Sequence, residues 1–309
     1  MSINELPCEI IYQWVDKYNS EVCQLWHTVW CTKPMTIRVP YGNKKKPLIC
    51  PLNSLTPKLK NLVSLNFFFC DSFPIDSSLE SLVTLRELHL CGNQYVTNKT
   101  IKYLTGLTSL SLLNNDKITN EGLKYLTNIT KLDLSENNQI TDTALKRLTR
   151  INDLTLQENK LISNKSLMYL TNITHLCISG CDLVTDKSVE KLVNISYLNI
   201  DNSDGITYKS LKHLTQLSEL QLANHPIQDE EFRKLTSLKS LFLYDEINIT
   251  GRSIRFLTRL ESLSLERHYN VTDKDIHKLT NLRELYLDCH NQIEKNDVKL
   301  PSLTLFHKL

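Results

Sequence analysis

Glycine is scarce in this chain, with 7 in 309 residues, so its turns must be made largely by other residue types. No run of about 18 apolar residues is present, and Met1 to Ile10 has neither a basic start nor an apolar stretch. Neither a membrane-spanning helix nor a secretory leader is therefore expected, and the expected location is the cytoplasm. Charge of one sign is not in excess. Lys plus Arg number 36 against 34 Asp plus Glu, a net +2, which gives no argument from charge for a nucleic-acid partner. The 9 cysteines are odd in number and irregularly spaced, which fits reduced, mostly buried thiols and not a disulfide framework. Phosphate loops, dinucleotide fingerprints, zincin helices and nucleophile elbows are also missing. Enzymatic activity and a cofactor are not expected.

What is present is leucine at a fixed period. From Leu82 the phrase leucine, two residues, Leu or Ile, two residues, leucine returns at Leu104, Leu126, Leu148, Leu170, Leu192, Leu214, Leu235, Leu257, Leu279 and Leu300, at steps of 22 residues with two of 21. Within one repeat, Leu132-Asp133-Leu134 alternates apolar and polar residues, as a strand with one buried face does. The stretch Ile140 to Leu145 has the pattern of a short helix capped by Thr141, and the cap recurs as Thr119, Ser163, Thr185, Thr207, Thr250 and Thr272. Asn93, Asn115, Asn137 and Asn159 share one turn position, where a side-chain amide can bond backbone groups that lack partners. One repeat buries too little apolar surface to offset its backbone entropy, so neighbours must stack.

These residues resemble the 22-residue class of leucine-rich repeats. The resemblance implies an α/β solenoid, with a curved parallel β-sheet on the concave face and short helices or turns on the convex face, over residues 49–309 in about eleven repeats. Leu59, Leu62 and Leu65 begin a modified first repeat. Leu300, Leu303 and Leu305 open an eleventh, for which a monomer is expected over an end-to-end homodimer.

Ahead of the solenoid, residues 1–48 read as a helical segment and linker, the connection lying at 40–57. Leu6, Pro7, Glu9 and Ile10, then Trp14, Val15 and Tyr18, then Val22, Cys23 and Trp26 resemble the F-box, which implies docking onto the adaptor of a cullin-type ubiquitin ligase through Leu6, Pro7, Glu9, Ile10, Val22, Cys23 and Trp26. The last phrase lies roughly two helical turns closer to Leu6-Pro7 than in that family. The abundance of Asn, Lys and Ile suits an AT-rich genome, and the short F-box-like segment resembles those of large DNA viruses, which would make the location the host-cell cytoplasm. An alternative reading makes the same helices a cap on the first repeat, leaving a binding or scaffolding module.

His225, His268 and His290 occupy the asparagine turn position of later repeats, with Cys289 beside the last; they read as polar turn residues, not metal ligands. The sequons at Asn98, Asn128, Asn164, Asn172, Asn194, Asn248 and Asn270 follow mostly from the repeat phrase. Residues between core leucines must face away from the core. On that face Glu87, Asp133, Asp153, Asp201, Glu219, Glu266, Glu284 and Asp288 stand against Lys131 alone, so eight negatives and one positive give −7 and leave about +9 for the rest of a +2 chain. Tyr197, Phe242, Tyr244 and Tyr286 lie there too. The expected partner is a protein with basic and apolar character.

Overall fold

The computed structural model describes residues 35–39, 62–67, 79–245, 248–268, 270–289 and 291–308. The F-box-like residues Leu6, Pro7, Glu9, Ile10, Val22, Cys23 and Trp26 and the 40–57 connection lie outside the described residues. The chain divides into two compact bodies, Met1–Ile151 and Asn152–Leu309.

The N-terminal body holds strands β1 (Met35–Val39), β2 (Leu62–Phe67), β3 (Glu87–His89), β4 (Ser109–Ser111) and β5 (Lys131–Asp133). Each pairs in parallel with the next in sequence. Between them run single-turn helices α1 (Asn98–Ile101) and α2 (Asn120–Leu123), and α3 (Asp142–Leu145) follows β5. Strand β1 adds to the sheet ahead of the boundary expected at residue 49.

The C-terminal body continues the same scheme. Its strands are β6 (Asp153–Thr155), β7 (His175–Cys177), β8 (Tyr197–Asn199), β9 (Glu219–Ala223), β10 (Ser240–Tyr244), β11 (Ser262–Glu266), β12 (Glu284–Leu287) and β13 (Leu305–Lys308), again parallel and in sequence order. Its helices are α4 (Asn164–Leu167), α5 (Asp186–Val189), α6 (Tyr208–Leu211), α7 (Asp229–Phe232), α8 (Gly251–Ile254) and α9 (Asp273–Ile276). Each body is thus a stretch of solenoid with an open parallel sheet, and among the described residues no helix is long and apolar enough to cross a membrane.

The core follows the phrase. Leu126, Ile129, Leu132, Leu134, Ile140 and Leu145 are each at most 1% exposed, and strand register sets leucine on leucine: Leu110 against Leu132, and Leu220, Leu241, Leu263 and Leu285 in one row. A four-residue helix has no stability of its own, so its ends must be satisfied locally. Thr119, Thr141, Ser163, Thr207 and Thr250 accept the backbone N–H two residues on, as the sequence predicts. Thr97 does the same. Thr185 instead accepts from Asn164 Nδ2 at 2.8 Å, and Thr272 donates its hydroxyl to Asp275 at 2.7 Å.

In the last repeat, which Leu300, Leu303 and Leu305 open, the strand residues divide between the two faces. Register pairs Leu305 with Glu284 and Phe306 with Leu285, so Phe306 takes the core position and Leu305 stands on the open face, 41% exposed. Two three-residue steps on from Leu300 lead to Phe306; the leucine one position earlier belongs to the other face.

Candidate functional site

The sheet's open face is held level by its turns. Just past each strand from β3 to β11 one residue sits in left-handed backbone: Gly92, Asn114 and Glu136 in the N-terminal body, and Glu158, Gly180, Asn202, Asn224, Asp245 and Arg267 in the C-terminal body. Most of these residues are not glycine, so the chain accepts about 1–2 kcal/mol of strain at such positions. The following position locks the turn. Asn115 Oδ1 accepts from Lys117 N (3.1 Å) and Ile118 N (3.0 Å), while its Nδ2 donates to the Asn93 carbonyl at 2.7 Å. Asn137 repeats this with Gln139, Ile140 and the Asn115 carbonyl.

In the C-terminal body the position changes chemistry. Cys181 Sγ donates to the Leu156 carbonyl at 2.9 Å and Ser203 Oγ to the Ile178 carbonyl at 2.9 Å. Both sit at the 22-residue step from Asn159, the signal by which they could have been found. Burial pushes the Cys181 thiol up to about 12. His225 and His268 follow, 2% and 1% exposed; His225 Nδ1 accepts from Ile227 N at 3.3 Å. Burial pushes the His225 imidazole down to about 4 against the opposing pull of the Ile206 backbone, Asp204 and Asp186, and burial lowers His268 likewise. At the tenth repeat the position belongs to Asn291, not to His290. Asn291 Nδ2 donates to the His268 carbonyl at 3.0 Å and its Oδ1 accepts from Ile293 N at 2.9 Å. His290 itself lies outside the described residues, and among those described no group of His, Cys, Asp or Glu is placed to hold a metal ion.

In the C-terminal body the face has three registered rows. His175, Tyr197, Glu219, Ser240, Ser262, Glu284 and Leu305 form one, and Cys177, Asn199, Gln221, Phe242, Ser264, Tyr286 and His307 the next. The third runs Ala223, Tyr244, Glu266, with Asp201 and Asp288 just past the ends of β8 and β12. Strand β10 sets Phe242 between Gln221 on β9 and Ser264 on β11, and Tyr244 between Ala223 on β9 and Glu266 on β11. Both rings are half-buried, rooted in the sheet with an edge left to solvent.

The carboxylates are not equivalent. Asp133, in the N-terminal body, spends its oxygens inside the chain, accepting from Ser111 Oγ (2.9 Å), Ser135 N (3.0 Å) and Ser135 Oγ (2.7 Å). Asp201 is half-buried: Oδ2 accepts from Gln221 Nε2 at 2.9 Å, Oδ1 is enclosed without a hydrogen bond, and burial raises its pKa despite the bonds from Asn199 and Gln221. Tyr197 joins this cluster, its hydroxyl 3.5 Å from Gln221 Oε1 and its ring stacked on His175 at 6.0 Å. Glu284 accepts from Ser262 Oγ (3.2 Å) and from Tyr286 Oη (3.4 Å). Glu219 is exposed, and Asp153, Glu266 and Asp288 are half-buried.

One cation at this face was missed from sequence. Arg267, just beyond β11, lies over the Tyr244 ring at 5.7 Å, donates to Tyr244 Oη at 3.1 Å, and gives its backbone N–H to Asp288 Oδ2 at 2.7 Å. The face is acidic around Glu219 and Asp201 and is partly neutralised beside Tyr244.

A further set of side chains, on the helix side, was also missed. The first helical residue of one repeat reaches the cap of the next: Asn98 Oδ1 accepts from Thr119 N (3.0 Å) and Asn98 Nδ2 donates to Thr119 Oγ1 (2.9 Å). Asn120 holds Thr141 and Asn164 holds Thr185 in the same way. Asp186 replaces the amide by a carboxylate that accepts from Thr207 N, Thr207 Oγ1 and Ser210 Oγ; burial opposes its ionisation, but these donors hold it below the usual range. Two of the sequon asparagines, Asn98 and Asn164, belong to this lock. Asn128 and Asn194 instead donate to the Thr105 and Thr171 carbonyls.

The family described as Leucine Rich repeat matches residues 103–126, 125–148 and 169–193. No curated protein sequence matches the chain. Among solved structures, an internalin (inlF) from Listeria monocytogenes is 25% identical with a TM-score of 0.53, covering 81% of both chains. A leucine-rich-repeat protein of Leptospira interrogans is 20% identical with a TM-score of 0.60, covering 94% of this chain and 81% of that one. TLR13 in its complex with ssRNA13 is 20% identical, TM-score 0.55, covering 94% of this chain and 45% of the other. The fold is that of a leucine-rich-repeat solenoid.

Proposed function

We propose that this leucine-rich-repeat solenoid is a non-enzymatic recognition protein, working in the cytoplasm, that holds a basic and partly apolar protein segment on the open face of its C-terminal body. The observation that carries this reading is the half-buried Phe242–Tyr244 pair on β10, flanked by Ser264 and Ala223, with Glu219 and Glu266 on the adjoining strands. Aromatics rooted in a rigid sheet lose little entropy on binding and are favoured as interface anchors. Exposed Glu219 and half-buried Glu266 beside them add steering for a cationic ligand. The test is fluorescence anisotropy with arrayed peptides of graded charge. Basic, aromatic-containing peptides should bind; Phe242→Ala should speed dissociation about tenfold or more, and Glu219→Lys with Glu266→Lys should slow association. Equal binding of acidic and basic peptides overturns the reading.

In its finer form the reading adds a second docking element. Leu6, Pro7, Glu9, Ile10, Val22, Cys23 and Trp26 would bind the adaptor of a cullin-type ubiquitin ligase, so that a target on the sheet is offered for ubiquitin transfer. Its support is the F-box-like phrase. Deleting residues 1–48 would also remove β1, so the cleaner variant is Trp26→Ala in the full chain. Loss of adaptor co-purification at an unchanged melting temperature supports docking. A lowered melting temperature in a chain that never bound the adaptor selects the solenoid-cap reading instead.

A further inference from the structure

The side opposite the open face carries a strip of its own. At every helix C-cap and the residue after it, the C-terminal body turns a pair of side chains outward: Met168–Tyr169, Glu190–Lys191, Lys212–His213, Arg233–Lys234, Arg255–Phe256 and His277–Lys278, all exposed except the half-buried Met168, Glu190 and His277. Six cations, Lys191, Lys212, Arg233, Lys234, Arg255 and Lys278, against Glu190 leave +5 over these twelve side chains. The pairs are aligned because the helices stack in register, pinned by the Asn164–Thr185, Asp186–Thr207 and Asp229–Thr250 locks.

A cation at a helix C-cap complements the helix dipole, but that explains only Lys212, Arg233 and Arg255. The second member lies beyond the helix and is either a further cation or an exposed ring: Tyr169 is 59% and Phe256 47% exposed. Cations rest on rings here, Arg255 at 5.4 Å over Phe256 and Lys234 at 5.2 Å over Tyr208. Opposing charge meets two of the six cations: Glu230 holds Arg233 at 2.5 Å and Glu190 holds Lys191 at 3.2 Å, which leaves four to face a ligand.

We propose that this strip binds single-stranded nucleic acid along the direction of repeat stacking. A row only two side chains wide, with about one cation per repeat, fits a linear polyanion that can stretch to its spacing. The rings give the bases sequence-tolerant stacking platforms, and the cations replace counterions on the phosphates. The chain's net +2 conceals this, because the acidic open face cancels the basic strip in the sum.

The test uses the full chain with a fluorescein-labelled twenty-nucleotide oligouridylate, read by anisotropy at 50 and 200 mM salt. With about four phosphates neutralised and a single-strand slope of about −0.7 per contact, affinity should fall roughly fiftyfold over that range. Lys212→Gln, Arg255→Gln and Lys278→Gln together should weaken binding at least tenfold and flatten the salt slope by about 2. Phe256→Ala should weaken it about fivefold or more, whereas Tyr244→Ala on the open face should leave it unchanged. Circular dichroism confirms that each variant is folded. Three outcomes overturn the proposal: no binding at 50 mM salt, binding indifferent to the strip variants, or phosphatidylserine vesicles or a duplex of the same length binding as well as the single strand.

Discussion

Acidification should destabilise the C-terminal body through a buried imidazole. His225 is 2% exposed, and burial holds its folded pKa at about 4, against 6.5 when unhindered. Between those values the unfolded chain takes up a proton that the native turn refuses. The stability contributed by neutral His225 is therefore complete above pH 6.5 and is lost progressively as pH falls toward 4. Proton linkage puts the loss between pH 7 and pH 5 at about 2 kcal/mol, with a limit near 3 kcal/mol below the folded pKa. For a body of this size, about 2 kcal/mol corresponds to roughly 4–8 °C in melting temperature. His268, shifted in the same direction by burial, adds to the loss. The comparison that isolates His225 is His225→Asn, because asparagine fills the same turn position at Asn159 and Asn291. Urea titrations at pH 7, 6 and 5, followed by circular dichroism, should show the variant losing about 2 kcal/mol less than the parent across that range. Parallel losses in the two proteins would refute the argument, since carboxylates such as Asp186 and Asp201 are common to both.

Three other outcomes follow from the turns and the thiols. Asn137→Ala strands the Gln139 and Ile140 N–H groups and the Asn115 carbonyl, which should cost about 2–4 kcal/mol in urea unfolding. Glu136→Gly relieves a left-handed residue at φ 53° and should raise stability by up to about 1 kcal/mol, after subtracting glycine's greater freedom in the unfolded chain. Cys181, with its thiol pushed to about 12, should alkylate far more slowly than exposed Cys289 at pH 8; mass-spectrometric mapping of iodoacetamide adducts decides this, and equal rates would mean that the Cys181 turn opens readily.

Legibility in the sequence depended on whether a position keeps one residue type from repeat to repeat. The core leucines and the Ser or Thr caps do, and so strands, helices and faces could be placed. The left-handed position does not: Gly92, Asn114, Glu136, Asp245 and Arg267 share a backbone conformation and no side-chain chemistry. Spacing failed where the chain slips by one residue, which is why Asn291 stands where His290 was expected. The open face could be enumerated, but not the internal bonds that occupy Asp133 or enclose Asp201. Arg267 escaped because it approaches the face from beyond the strand that defines it. The outer lock joins residues of adjacent repeats, Asn98 with Thr119 or Asp186 with Thr207, and becomes visible only when one repeat is laid over the next.

That lock bears on how such a chain can lengthen or shorten over time. Its two halves are the same on both sides of a repeat: Asn98 meets Thr119, and Asn120 meets Thr141. Excision of a whole 22-residue period between those joints would bring Asn98 against Thr141, a threonine already adapted to an asparagine partner. Duplication would create one more joint of a kind the chain already makes. A gene encoding these repeats can therefore gain or lose them as units, altering the extent of its surface without requiring a compensating mutation at either seam.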